Sequence, residues 1–209
     1  MNATDMIELH NIDCMEYLAT CEDNAFELAI VDPPYGIGNW VQTTGNIRGE
    51  AVNWNDSAPT DEWLRALQRV ARRRIIWGSN YYPWVDGHGA SIVWNKRMPR
   101  ESNMSVCEIA SYSENRRVDY VDCVWQNINR NEEMIHPCQK PVKLYEWLLM
   151  NYAKEGDRIL DTHLGSGSIA IACHNIGFDL VGCELDTDYF NAAQKRLKLH
   201  QSQLRIPMH

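Results

Sequence analysis

Apolar residues along this chain gather in short, nearly continuous runs at 7–12, 26–31, 74–77, 91–94, 107–111, 158–160 and 178–183. Runs of this length, bounded by turn residues and rich in β-branched side chains, predict buried strands, so seven strands are expected. Between several of them the apolar positions recur at helical spacing, over 61–71, 140–152, 168–175 and 189–199. Strands alternating with helices predict an α/β sheet with helices layered on it. Residues 36–59 follow neither period and are rich in Gly, Asn and Trp. Irregular segments that long are uncommon in compact domains unless they serve function, so 36–60 is expected to form a long loop or lid at the site. The tail 200–209 is expected to fray. Without an internal repeat or a low-complexity linker, 1–209 reads as one domain.

Composition narrows the class. A chain of 209 residues fits a single core. No apolar run nears the roughly 18 residues that span a bilayer. The first ten residues lack a cationic, apolar leader, so a cytoplasmic location is expected. The seven cysteines are scattered without a C-x-x-C pair, which argues against a disulfide framework and a zinc knuckle. His136, Cys138, His163, Cys173 and His174 fit no tetrahedral spacing, so no metal is expected. A net charge of −8 opposes whole-molecule attraction to nucleic acid. Yet from Glu62 to Arg100 the cations Arg65, Arg69, Arg72, Arg73, Arg74, Lys96, Arg97 and Arg100 face only Glu62 and Asp86. That stretch is either a local basic face or a solvated helix surface.

Two segments carry candidate chemistry. Arg158-Ile-Leu-Asp-Thr-His-Leu-Gly-Ser-Gly-Ser168 reads as a strand, a glycine turn and a helix start, with a second strand ending at Glu184. Gly165 and Gly167 would let the backbone turn tightly and approach a ligand, and Ser166 or Ser168 would cap the helix. Glu184 lies 23 positions after Asp161, close to the spacing at which an acid meets ribose hydroxyls in nucleotide-binding α/β folds. The full G-x-G-x-x-G pattern is missing, which weakens a dinucleotide. The P-loop pattern is missing as well.

The second segment is the strand 26–31 running into Asp32-Pro33-Pro34-Tyr35-Gly36. Ligands of open α/β sheets bind beyond the carboxyl ends of strands, where Asp32 stands. Two prolines remove two N–H donors and stiffen the turn, leaving the Asp32 carboxylate and the Pro33 carbonyl as acceptors. An exocyclic nucleobase amine offers two N–H groups that such a pair accepts, and Tyr35 offers a flat face on which an extruded base stacks. Taken alone, either segment could be an ordinary turn.

Together, Asp32-Pro33-Pro34-Tyr35, then His136-Pro-Cys-Gln-Lys-Pro141, then Asp161-Thr-His-Leu-Gly-Ser-Gly-Ser168 resemble, in that order, the β group of DNA amino-methyltransferases, and within it the compact phage or prophage type. The resemblance spans about 12–197. It implies a permuted, doubly wound, seven-stranded, mostly parallel sheet of the S-adenosylmethionine-dependent methyltransferase type, and methyl transfer from that cofactor to the N6 amine of a flipped adenine in DNA. N4 methylation of cytosine and a silent DNA-binding module remain as alternatives. It also implies site residues: Asp13 and Cys14 at the cofactor's adenine, Glu184 and Leu185 at its ribose, Lys140 along its methionine moiety, and Asp161, His163, Gly165, Ser166, Gly167 and Ser168 in its loop, with Asp32 between cofactor and target. His163 stands where the family usually has Phe, so an imidazole replaces an aromatic contact. The Trp94-Asn-Lys-Arg97 turn and the 36–60 loop are left to read DNA. Partners implied are DNA and, for assembly, a monomer or homodimer with the homodimer favoured, in a bacterial cytoplasm.

Overall fold

The computed structural model describes residues 6–37, 57–84, 86, 89–99, 101, 105–114, 117–125, 134–136 and 138–202. Most of the expected lid, Arg100 and residues 203–209 lie outside them. In chain order the elements are β1 (Ile7–Asn11), α1 (Cys14–Thr20), β2 (Phe26–Val31), α2 (Asp61–Val70), β3 (Ala71–Trp77), β4 (Ser91–Asn95), β5 (Cys107–Tyr112), β6 (Asp119–Asp122), α3 (Val142–Tyr152), β7 (Arg158–Asp161), α4 (Ser168–Ile176), β8 (Asp179–Glu184) and α5 (Thr187–Ser202).

The strands form one sheet in the order β1-β8-β7-β2-β3-β5-β4-β6. Every neighbouring pair is parallel except the two that β5 makes, with β3 and β4. The sheet therefore has eight strands, not the seven expected. The additional one, β6, is a four-residue edge strand whose Asp119 and Val121 point inward while Tyr120 and Asp122 face water. Its acids at both ends disguise the alternation.

Successive residues of β2 enter opposite cores, which explains its unbroken apolar run. Leu28 and Ile30 pack with Leu144 and Leu148 of α3, Ile169 of α4 and Leu197 of α5. Ala29 and Val31 pack with Leu18 of α1 and Trp63 and Leu67 of α2. The sheet is thus covered on both faces. Thr60 caps α2, its hydroxyl accepting from the Trp63 amide at 3.2 Å, a contact worth about 1 kcal/mol. Val70 leads straight into β3, so the helix expected to include residue 71 ends one residue sooner and the strand begins before residue 74. The apolar run hid this because β3 carries a buried arginine: Arg73 pairs with Asp157 and donates to the Tyr152 carbonyl at 2.5 Å. α5 continues to Ser202, correcting the expected fraying at 200–202, and the His200 Nε2 lies 2.8 Å from the Asn175 amide oxygen. Among the described residues no helix is long and apolar enough to cross a membrane.

This topology lines up four acids. β1, β8, β7 and β2 are adjacent and parallel, so Asp13, Glu184, Asp161 and Asp32 at or just beyond their carboxyl ends stand side by side. From β2 the chain crosses outward to β3, and from β7 it crosses the other way to β8. The gap between β7 and β2 is a switch point, where open α/β sheets bind ligands.

Candidate active site

The β7 side is built from backbone amides. The Asp161 carboxyl oxygen accepts from the His163 N–H at 2.9 Å. Glu184 accepts with both oxygens, from the Gly165 amide at 2.8 Å and the Asp186 amide at 2.9 Å. Asp13 accepts from the Met15 amide at 2.7 Å as the N-cap of α1. Gly167 occupies the α4 N-cap with φ of 71°, in the left-handed region, and a Cβ there would meet the Ala193 Cβ at 3.1 Å. Neither Ser166 nor Ser168 caps the helix, contrary to expectation, because the glycine takes that position. Instead the two hydroxyls lie 3.1 Å apart, and Arg196 of α5 donates to the Ser166 carbonyl and the Ser168 hydroxyl, both at 2.9 Å, pinning the loop from behind.

Burial sets the ionisation here. It pushes the Asp161 carboxyl up to about 8, against the His163 amide and with help from the nearby Asp32 and Glu184 charges. Burial also raises Glu184. It pulls His163 down to about 4, opposed by Asp13, so its ring is a neutral aromatic plate at pH 7. That ring lies edge-on to Trp63, with centroids 5.7 Å apart, and its Nδ1 lies 2.9 Å from the Thr162 hydroxyl. The Cys14 thiol is pushed up to about 11 by burial and by Asp13, so it lines the site as a small protonated group.

The β2 side is built from ion pairs. The Lys140 ammonium pairs with Asp32 and lies 3.0 Å from Glu108. Glu108, on β5, pairs through its other oxygen with Lys96. The Tyr35 hydroxyl lies 2.8 Å from Asp32 and 3.2 Å from Glu108. The Tyr82 hydroxyl lies 3.2 Å from the Pro33 carbonyl and 3.1 Å from that of Trp77. Tyr35 is wedged in place. Its ring stacks on Tyr81 at 5.2 Å, and a Cβ on Gly78, whose φ is +75°, would come within 2.3 Å of it. Burial raises the Asp32 carboxyl even though Lys140 opposes it. For Glu108, burial is outweighed by Lys140 and Lys96, which lower it to about 2. Lys140 is likewise penalised by burial, but Asp32 and Glu108 hold it above its ordinary value.

Both sides open on one cavity of about 720 Å³. Asp13, Cys14, His163, Gly165, Ser166, Glu184 and Leu185 line it from the β1, β8 and β7 ends, and Asp32, Pro33, Pro34, Tyr35 and Lys140 from the other side. Asp161, Gly167 and Ser168, expected at the cofactor, are not among its lining residues. Glu108, Tyr145, Asp186 and Tyr189, which no sequence motif marks, also line it, as does His136 of the His-Pro-x-Gln-Lys-Pro segment. Glu108 had one signal: a lone charge inside an apolar run. His136, pulled down to about 4 by burial and Lys140, packs edge-on to Tyr189 at 4.6 Å.

Five of the eight cations between Glu62 and Arg100, which the sequence reads as either a local basic face or a solvated helix surface, are paired with acids. Arg69 pairs with Asp23, Arg73 with Asp157, Arg74 with Asp86, Lys96 with Glu108 and Arg97 with Asp122. Of the Trp94-Asn-Lys-Arg97 turn, expected to read DNA, Arg97 is exposed, Asn95 is half-buried, and Trp94 and Lys96 are buried, the indole of Trp94 donating to the Cys123 carbonyl at 2.6 Å.

The sequence profile of the DNA methylase family, which covers N6 and N4 methyltransferases, matches residues 75–195, more than half of the chain. The Type II methyltransferase M.HpaI of Haemophilus parainfluenzae is 23% identical, covering 88% of this chain and 72% of that protein. The Type II methyltransferase M2.DpnII of Streptococcus pneumoniae is 23% identical, covering 94% and 91%. The solved structure of the M1.HpyAVI–SAM complex superposes with a TM-score of 0.60 at 21% identity, covering 92% of this chain and 100% of that one. The PvuII cytosine-N4-specific DNA methyltransferase superposes at 0.67 with 11% identity, covering 93% and 87%. These two likenesses show a shared fold.

Proposed function

Because the chain belongs to the DNA methylase family, we propose that it transfers a methyl group from S-adenosylmethionine to the N6 amine of an adenine flipped out of DNA. The observation that carries this reading is the convergence of the Asp32 turn and the Gly165 loop on one cavity. The walls fit the cofactor: Glu184 is fixed through both oxygens by main-chain amides, which leaves its remaining lone pairs for ribose hydroxyls. Asp13, Cys14 and the neutral His163 plate would hold the adenine end, with Gly165 and Ser166 between them. M1.HpyAVI, of the same fold, was solved with SAM, which supports the choice. When bound, S-adenosylmethionine supplies a methyl group on a sulfonium, whose sulfur keeps the bonding electron pair.

The chain's own groups do the rest. The Asp32 carboxylate and the Pro33 carbonyl accept one N–H each from the amine, which orients the nitrogen lone pair out of the ring plane. The Pro33 carbonyl keeps a lone pair beside the Tyr82 hydroxyl, and each Asp32 oxygen keeps one beside its own partner, the Tyr35 hydroxyl or the Lys140 ammonium. After transfer the nitrogen is cationic, and Asp32 takes the proton it sheds. Tyr35 fixes Asp32 through its hydroxyl and, with Tyr81, forms the aromatic wall that receives the base. The order of catalytic turn, His-Pro-x-Gln-Lys-Pro segment and glycine loop supports the permuted β-group arrangement. Asp32 favours adenine, since the N4-cytosine enzymes that this chain resembles more usually carry Ser there. Transfer to cytosine N4 is the second reading, favoured by the fold shared with the PvuII enzyme.

Tritiated methyl transfer to unmethylated DNA tests both. Label in N6-methyladenine is expected, label in N4-methylcytosine selects the second reading, and no label in any nucleic acid removes the proposal. Asp32→Ala should lower turnover by roughly 10³-fold or more while calorimetry finds cofactor affinity unchanged.

A further inference from the structure

The proposed transfer uses Asp32 and Pro33 but leaves a buried anion without a role. Glu108 enters the site from β5, the single antiparallel strand, and is held at three points: Lys96 on one oxygen, Lys140 at 3.0 Å and the Tyr35 hydroxyl at 3.2 Å on the other. Lys140, with its side chain 3% exposed, bridges Glu108 and Asp32. Two carboxylates and two ammonium groups thus close a neutral cluster. The same ammonium paired with Asp32 alone would spend its whole charge on the group that must accept the substrate's hydrogens. It would also oppose the positive charge that develops on the alkylated amine.

We propose that Glu108 is a positioning residue for methyl transfer: anchored by Lys96, it draws the Lys140 ammonium to a point between two carboxylates and so keeps Asp32 basic enough to take the amine's proton. This rests on the methyltransferase reading above. The proton balance is simple. The amine nitrogen forms a bond to the methyl carbon as that carbon's bond to the sulfonium breaks, with the bonding pair left on sulfur; the nitrogen becomes cationic and gives one proton to the Asp32 carboxylate. Glu108 takes no proton and remains the counter-ion throughout. The two acids are pushed apart in the directions this division of labour requires, Asp32 upward by burial and Glu108 downward by its two lysines in spite of burial.

The test compares wild type with Glu108→Gln and Lys96→Met. Loss of the Glu108 charge lets Lys140 settle on Asp32, so Asp32 becomes a weaker base. Turnover should fall by roughly 10²-fold, and the acid limb of the kcat/KM profile should move to lower pH. Loss of the Lys96 charge should move that limb to higher pH. The carboxyl 13C shift of Asp32, followed against pH in protein without cofactor, should move in the same two directions. Cofactor affinity should stay within about twofold in both variants. A merely structural role lowers activity through the folded fraction, read by circular dichroism, and moves neither titration. Glu108→Gln with wild-type turnover, or with both Asp32 titrations unmoved, overturns the proposal, as does a Lys96→Met shift in the same direction as that of Glu108→Gln. A wild type that methylates no DNA defeats the parent reading instead, and the 13C titration still decides whether Glu108 governs Asp32.

Discussion

The two sides of the cavity both carry acids and hold them by opposite means. At β1, β8 and β7 the carboxyl groups of Asp13, Glu184 and Asp161 accept from main-chain amides. At β2 and β5, Asp32 and Glu108 share lysines. An amide is a fixed partial charge that aims a carboxylate without neutralising it, which suits binding of neutral hydroxyls and amines. A lysine is a full charge whose position sets how basic its carboxylate is, which suits proton transfer. One side is organised for geometry and the other for charge, and each makes a distinct prediction.

The largest expected effect breaks the charged side. Lys140→Met leaves Asp32 and Glu108 as neighbouring buried anions, with Lys96 alone to balance them. Removing one partner of a buried pair typically costs about 3–5 kcal/mol, and loss of transfer activity should accompany it. The variant's Asp32 carboxyl would rise further, so its folded-state pKa lies above its unfolded value. Below the unfolded value both states are protonated and the penalty disappears; as pH rises toward the folded value it grows. Urea midpoints should therefore separate from wild type at pH 8 and converge toward pH 4. A deficit independent of pH would show that lost packing, not uncompensated charge, is the cause.

The two sides also differed in how plainly they could be read. Asp32, Glu184 and Gly165 were legible because Pro, Gly and strand ends are local signals, fixed by backbone sterics within a few residues. Glu108 and Lys96 were not. They reach the site only because β5 inserts between β3 and β4, a pairing between segments remote in sequence. In the sequence Lys96 therefore reads as part of a DNA-reading turn, whereas a buried ammonium with a carboxylate partner cannot serve as one. α1 leaves no periodic signal for a different reason: Leu18 is its single fully buried residue, too little for a period. The sequence points to a serine cap because it is the torsion of Gly167, invisible in its residue type, that makes it the cap.

A smaller effect probes the amide-held side. Asp161 has a carboxyl raised to about 8 by burial, so between roughly pH 4 and 8 the unfolded chain has lost this proton while the folded chain keeps it. Stability from this group is complete below the unfolded value and drains away as pH rises toward 8. Asn keeps the oxygen that accepts from His163 and cannot ionise. Asp161→Asn should thus match wild type near pH 4 and exceed it by roughly 2–3 kcal/mol at pH 8, less than the limit of about 1.4 kcal/mol per pH unit because neighbouring carboxylates respond. Parallel stability curves for the two proteins would mean that amides alone hold Asp161 ionised.

The smallest effect sharpens the contrast most. Glu184→Gln turns one acceptor oxygen into an NH₂ facing the Gly165 or Asp186 amide, donor against donor, and removes the charge that strengthens hydrogen bonds to a ribose. Hydrogen bonds to a charged group are worth about 1.5–3 kcal/mol, so the dissociation constant for S-adenosylmethionine should rise roughly 10- to 100-fold. Turnover at saturating cofactor should hold within about twofold, because nothing at Asp32 has changed. The same chemical substitution at Glu108 should do the reverse, lowering turnover and sparing affinity. Calorimetry and single-turnover rates on the two variants side by side decide it: if both substitutions weaken cofactor binding, or both slow the chemical step, the division between an amide-aimed side and a lysine-tuned side is wrong.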